Sequence, residues 1–308
     1  MKTPDFIGIG AQKSGTAWLF NRLREHPEFT LPFHKEFHYF DRNPKYPSPN
    51  IFANKYFIIR LAEPFYRKKI VYEFKKSIEA KNITRLKWFL KFYCSTISDN
   101  WYLSQFSTFK GITGEFSPSY SILEIPDITK IYRLLPDAKL IFLIRNPIER
   151  AWSAYRFFLN NGIIKKSLEF SDIIDFMDSP LQVSRSNYLR TISNYTSVFP
   201  ANQIILCFYD AIIDQPFNLM CGVVDFLGGN AASSSKIKGL NVKNNVSPKM
   251  EIPERVLQYL VDKYHDDIAE LSKTYQGYCK QWYHKYYKSN ELATNGFENK
   301  LPPAFINL

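Results

Sequence analysis

A lysine, two hydroxyls and a glycine stand together at Lys13-Ser14-Gly15-Thr16. An ammonium flanked by hydroxyl donors suits an oxyanion such as phosphate or sulfate. Further on, Glu36 and His38 put a carboxylate and an imidazole two residues apart, a pairing able to move a proton. Arg145 follows directly on the apolar run Lys139-Leu140-Ile141-Phe142-Leu143-Ile144, and a guanidinium is a strong bidentate partner for phosphate. The first expectation is an anionic ligand.

The elements that must hold these residues can be read from periodicity. Phe6, Ile7 and Ile9 form a short buried-strand pattern that stops at Gly10-Ala11-Gln12-Lys13-Ser14-Gly15-Thr16. Trp18, Leu19, Arg22, Leu23 and His26 then recur at helical spacing until Pro27. A strand, a small-residue loop and a helix aim backbone N–H groups and the positive helix end at one point. In a nucleoside-triphosphatase loop the lysine follows the second glycine and precedes the hydroxyl that binds Mg²⁺. Here Lys13 precedes Gly15, which fits a metal-dependent ATPase poorly.

Residues 31–41 read as a short extended stretch with Glu36, His38 and Phe40 on one face and Phe37 and Tyr39 turned inward. An isolated pair of this kind is more often plain surface. Lys139 to Ile144 has apolar side chains on both faces, as a parallel interior strand requires. Ligands of α/β sheets bind beyond the carboxyl ends of the strands, so Arg145 should share an edge with the Lys13 loop. Where a Walker B strand would offer an aspartate to Mg²⁺, this one offers a guanidinium.

Three blocks in this order resemble the sulfotransferases that use 3′-phosphoadenosine 5′-phosphosulfate (PAPS). Gln12-Lys13-Ser14-Gly15-Thr16-Ala17-Trp18-Leu19 is similar to their 5′-phosphosulfate loop, and Arg145-Asn146-Pro147-Ile148-Glu149-Arg150-Ala151-Trp152-Ser153-Ala154-Tyr155 to their 3′-phosphate motif. Lys35-Glu36-Phe37-His38-Tyr39-Phe40-Asp41 resembles the K-E-x-H-x-F-D block of the glycan-modifying, heparan sulfate sulfotransferase-like branch, in a soluble bacterial-type form. The resemblance implies a P-loop-like three-layer α/β fold, with a central, mostly parallel sheet flanked by helices. It also implies PAPS as donor, no metal, and sulfuryl transfer to a hydroxyl or amine of a small metabolite or glycan.

By that resemblance Glu36 is the general base, Lys13 neutralises the departing 5′-phosphate, and His38 donates to the sulfuryl group or orients Glu36. Ser14, Gly15, Thr16 and Ala17 hold the 5′-phosphosulfate, and Arg145 with Ser153 the 3′-phosphate. Trp18 and Tyr209 are matched to residues that touch the adenine, with core packing the alternative for each. Arg150 and Arg156 read as structural or surface charges. Phe116 stands where the glycan-modifying branch often has lysine, which leaves the acceptor class open.

The length of 308 residues suits one large domain spanning 1–308, with a helical insertion or lid at about 45–98. That segment is basic and aromatic: Lys55 to Lys91 holds eleven Lys/Arg against three Glu, a large share of the net charge of +11. It reads either as helices packing on the core or as an acceptor-binding or membrane-surface element. No zinc, helix-turn-helix or RNA-binding signature accompanies the charge, so nucleic acid is not expected. Four dispersed cysteines, the absence of any run of roughly 18 apolar residues, and a first strand within about five residues of the start lead to an expectation of a cytoplasmic protein.

The late segment 230–249 reads as a polar loop with Lys236, Lys238, Lys243 and Lys249 as undecided cofactor contacts, and little regular pattern is expected beyond Ser289. Oligomeric state is not legible. Two other functions compete, a metal-dependent nucleotide kinase or NTPase and a non-catalytic polyanion-binding module.

Overall fold

The structure, a computed structural model, describes residues 2–165, 169–241, 250–288 and 301–308; the expected loop lysines Lys243 and Lys249 lie outside the described residues. Its centre is a five-stranded sheet of order β2-β1-β3-β4-β5. The strands are β1 (Phe6–Gly10), β2 (Gly114–Phe116), β3 (Lys139–Ile144), β4 (Ile204–Phe208) and β5 (Phe305–Asn307). The first four run parallel, and β5 is antiparallel on β4. β1 and β4 are buried along their whole length, and β3 from Leu140 onward. A sheet buried on both faces needs helices above and below, which gives the three-layer α/β architecture.

Helices α1 (Thr16–Glu25), α2 (Phe57–Ala62), α3 (Pro64–Glu79), α4 (Ile83–Cys94), α5 (Asp99–Ser104), α6 (Ile125–Leu134) and α7 (Pro147–Asn160) come in this order, and further helices lie between α7 and β4 and after β4. Pro126 stands in the first turn of α6, in keeping with proline's preference for that position. At Asn187 the helix Pro180–Ser186 gives way to Tyr188–Thr196, and the Asn187 side chain caps the second at Arg190 N. β4 ends at Phe208, and Tyr209 opens the helix that follows it. β5 departs from the expectation of a patternless tail, because a three-residue strand is too short to show periodicity.

The 45–98 segment is tied down through one buried cation. Arg60, on α2, donates to the carbonyls of Lys55, Tyr93 and Ser95 at 2.7–3.0 Å and so closes the C-terminal end of α4. Tyr66 Oη adds a 2.6 Å bond to the Tyr93 carbonyl. The inner face of α4 brings Trp88 and Phe92 against Phe37, with ring centroids 6.2 and 5.1 Å away. This aromatic packing fixes the residue that lies between Glu36 and His38.

β1 and β2 approach too closely for any side chain at Gly8, where a Cβ would fall 1.9 Å from Phe116 Cδ1. That ring cannot easily retreat, being fully buried between Phe6 and Phe20. Gly8→Ala is expected to lower stability by about 1–3 kcal/mol, read as a lower urea midpoint at unchanged m-value. An unchanged midpoint would show that Phe116 yields.

Candidate active site

The loop between β1 and α1 is shaped by backbone conformations that favour glycine. Gly15 has φ 94° and caps α1, and a Cβ there would meet Ile212 Cδ1 at 2.4 Å and Tyr209 Cδ2 at 3.1 Å. Only hydrogen at this position lets the loop close against the end of β4. No acidic residue lies in the first turn of α1 and no side chain caps it, so its positive end has no carboxylate of its own. Thr16 Oγ1 accepts a 3.1 Å bond from Lys35 Nζ.

Lys13 places its ammonium 4.3 Å from the Phe157 ring centre. Burial, then Arg145, Arg156 and Lys35, pull its pKa down to about 8. No carboxylate lies within ion-pair distance of Lys13 among the described residues. Several cations therefore converge on a place that holds too little negative charge.

Arg145 stands at the end of β3, on the same edge as the Lys13 loop. Its guanidinium lies 4.3 Å from the Tyr209 ring centre and pairs with Glu149 at 3.0 Å. Its carbonyl accepts from Tyr188 Oη at 2.9 Å, and its buried Nε has no partner. Glu149 is shared with Lys285 at 2.7 Å, so Arg145 has only part of one carboxylate. Ser153 lies buried on α7, two turns further on. Arg150 is structural, fully buried and bonded to Ser186 and Gln182. Arg156 is not merely a surface charge, because it acts electrostatically on both Lys13 and Arg145.

Residues 31–41 do not form the expected extended strand. His38 has φ 51°, and the amides here are held by side chains rather than a ladder. Phe37 N donates to Glu115 Oε2 and Ser117 Oγ, His38 N to Ser117 Oγ, and Tyr39 N to Tyr120 Oη. Glu115, fully buried on β2, also accepts from Tyr102 and Tyr120 at 3.1 and 2.9 Å. Burial pushes its pKa up to about 7 in spite of these donors.

Glu36 and His38 nevertheless meet, with His38 Nε2 3.2 Å from Glu36 Oε2. His38 Nδ1 lies 2.8 Å from Asp41 Oδ2, and Lys35 Nζ bonds Glu36 Oε1 at 3.0 Å. A chain of alternating charge therefore runs Asp41, His38, Glu36, Lys35, and ends on Thr16 of the loop. Burial alone would discharge His38, but Asp41 and Glu36 outweigh it and raise its pKa to about 9. Burial likewise works against the Glu36 charge, yet Lys35 and His38 hold that carboxyl well below the ordinary range. At neutral pH the pair is carboxylate and imidazolium, so the carboxylate is the member able to take a proton.

Sequence reasoning gave no role to Asp41, Lys35 or Arg156. Neither Asp41 nor Arg156 had a spacing signal, because an extended stretch puts Asp41 on the face opposite His38 and Arg145 precedes the helix that carries Arg156. Trp18 is buried, with its indole N–H donating to the Leu240 carbonyl at 3.3 Å, a placement that core packing accounts for. Tyr209 lies between Gly15 and Arg145. A cleft of about 560 Å³ lies elsewhere, against Tyr39, Arg42, Lys55, Tyr56 and Lys130, and neither Lys13, Glu36 nor Arg145 lines it.

His38 supplies a test of the charge chain. Its pKa is raised from 6.5 to about 9, so its contribution to stability is complete below pH 6.5 and is lost as pH climbs toward 9. The melting temperature should fall more steeply across that window in the wild type than in His38→Gln. Parallel curves would mean that no imidazolium is held there.

A family profile described as Sulfotransferase family matches residues 4–232. The chain is 30% identical over 122 residues to "Heparan sulfate glucosamine 3-O-sulfotransferase 6" of Mus musculus, a match covering 38% of this chain and 35% of that protein. The Homo sapiens protein of the same name matches to the same extent, so the chain spans about a third of the length of these relatives. Among solved structures, a sulfotransferase from Alicyclobacillus acidocaldarius superposes with a TM-score of 0.59 at 22% identity, over 89% of this chain and 96% of the other. The sulfotransferase domain from the curacin biosynthetic pathway gives 0.51 at 14% identity, over 85% and 98%. At such identities these two structures speak for the fold. With its motifs inside the matched residues and the same α/β architecture around them, the chain belongs to the Sulfotransferase family.

Proposed function

We propose that this protein transfers a sulfuryl group from PAPS to a hydroxyl or amine of a small metabolite or glycan. The observation that carries this reading is the Lys13 ammonium, set beside Arg145, Arg156 and Lys35 with no carboxylate within ion-pair distance of it among the described residues. The buried, unpartnered Nε of Arg145 and the uncapped start of α1 fit the same anionic guest. PAPS, when bound, supplies the sulfuryl group and a phosphate leaving group.

In this reading Lys13, Ser14, Gly15, Thr16 and Ala17 hold the 5′-phosphosulfate end, with backbone N–H groups at the positive helix end and the ammonium opposing developing charge. Arg145 and Ser153 hold the 3′-phosphate, and Tyr209 lies against the base. Glu36 takes the acceptor proton, while His38, charged and braced by Asp41, orients it. Lys35 links the two halves, because its ammonium touches both Thr16 and Glu36. An anion at the loop competes with Glu36 for that ammonium and so makes the carboxylate a better base. No metal is needed by this scheme.

The same proposal takes 1–308 as one domain, with 45–98 as its helical insertion or lid. Among the described residues no helix is long and apolar enough to cross a membrane. A cytoplasmic location rests on the four cysteines, all of them free thiols. A small-molecule or glycan acceptor is proposed, its class left to a transfer screen over hydroxyl compounds, amines and oligosaccharides.

Arg145→Ala should weaken PAPS by about 10–100-fold, from loss of charged hydrogen bonds, while adenosine 5′-phosphosulfate, lacking the 3′-phosphate, loses far less. Equal losses in calorimetric titration would sink the assignment, and tight Mg-ATP binding in its place would favour a kinase. Glu36→Gln should cut transfer by about 10²–10⁴-fold with adenosine 3′,5′-bisphosphate still bound. A module that only binds polyanions would lose nothing on this change.

A further inference from the structure

Ten of the seventeen large apolar side chains exposed among the described residues fall between Tyr56 and Leu90. The corner of α2 and α3 presents Ile58, 80% exposed, and Phe65, 65% exposed. Along α3 the exposed residues alternate between apolar or aromatic ones, notably Val71, Tyr72 and Ile78, and the cations Arg67, Lys68, Lys75 and Lys76. Glu79, at its last position, is the one acid exposed on that helix. α4 repeats the pattern on a smaller scale, with Ile83, Lys87 and Leu90 at i, i+4 and i+7 all turned to solvent.

A merely solvated helix would mix lysine with glutamate and leave few large apolar groups in water. We propose instead that the α2–α3 face is a docking surface for an anionic lipid bilayer. Its lysines reach the phosphate headgroups while Ile58, Phe65, Val71 and Tyr72 enter the headgroup–acyl boundary. A soluble polyanion uses only the cations and leaves those apolar groups wet. A second copy of the same face would set lysine against lysine. A bilayer of anionic lipid is the one partner that matches both halves of the pattern.

The test is sedimentation of the full chain with vesicles of equal parts phosphatidylglycerol and phosphatidylcholine, against phosphatidylcholine alone. The wild type should bind the mixed vesicles and not the neutral ones. Replacing Lys68, Lys75 and Lys76 together by Gln should lower the partition coefficient about a hundredfold. Replacing Phe65, Val71 and Tyr72 together by Ser should lower it at least about tenfold, with melting temperatures kept because all six side chains are exposed. No binding to the mixed vesicles overturns the proposal. So does serine-variant binding equal to wild type, which marks a charge-only surface for polyanions, or a dimer in solution that the serine variant abolishes.

Discussion

A buried ammonium without a carboxylate partner among the described residues, Lys13 at one edge of the sheet, is the constraint on which the rest of the site is arranged. Burying an ammonium beside two guanidinium groups is unfavourable, and the depressed pKa of Lys13 records the strain. The fold sustains it because aromatic rings, and for Arg145 also Glu149, hold the cations in place. Lys13 rests on the Phe157 ring and Arg145 on the Tyr209 ring. On the proposed reading the site is thereby organised for an anion before one arrives, and little reorganisation remains to be done on binding.

A second buried charge does the opposite work. Glu115 gathers donors from Phe37, Ser117, Tyr102 and Tyr120 and so ties β2 to the segment that carries Glu36. It holds the backbone of Phe37, the residue between Glu36 and His38, and so helps to set where that pair lies. The Phe37 ring on the other side, packed against Phe92 and Phe106, makes that segment rigid without any strand pairing.

The sequence made the sheet and its loop legible because buried parallel strands are apolar on both faces, as at Ile7 and Ile141, and because Arg145 follows such a run directly. It could not show that residues 31–41 are irregular. Their hydrogen-bond partners, Glu115, Ser117 and Tyr120, lie some eighty positions away, beyond any local pattern. The charge of Arg60 read as part of a basic surface, whereas it is buried and spent on helix-end carbonyls.

The antiparallel strand β5 bears on how the molecule is made. Its partner β4 ends at Phe208, and nearly a hundred further residues leave the ribosome before Phe305 can pair with Cys207. Through that interval the outer edge of a fully apolar strand is bare, and so is the notch at Gly222 into which Phe305 fits. The nascent chain therefore passes through a stage with an apolar strand edge still unpaired, the kind of surface on which unfinished chains associate.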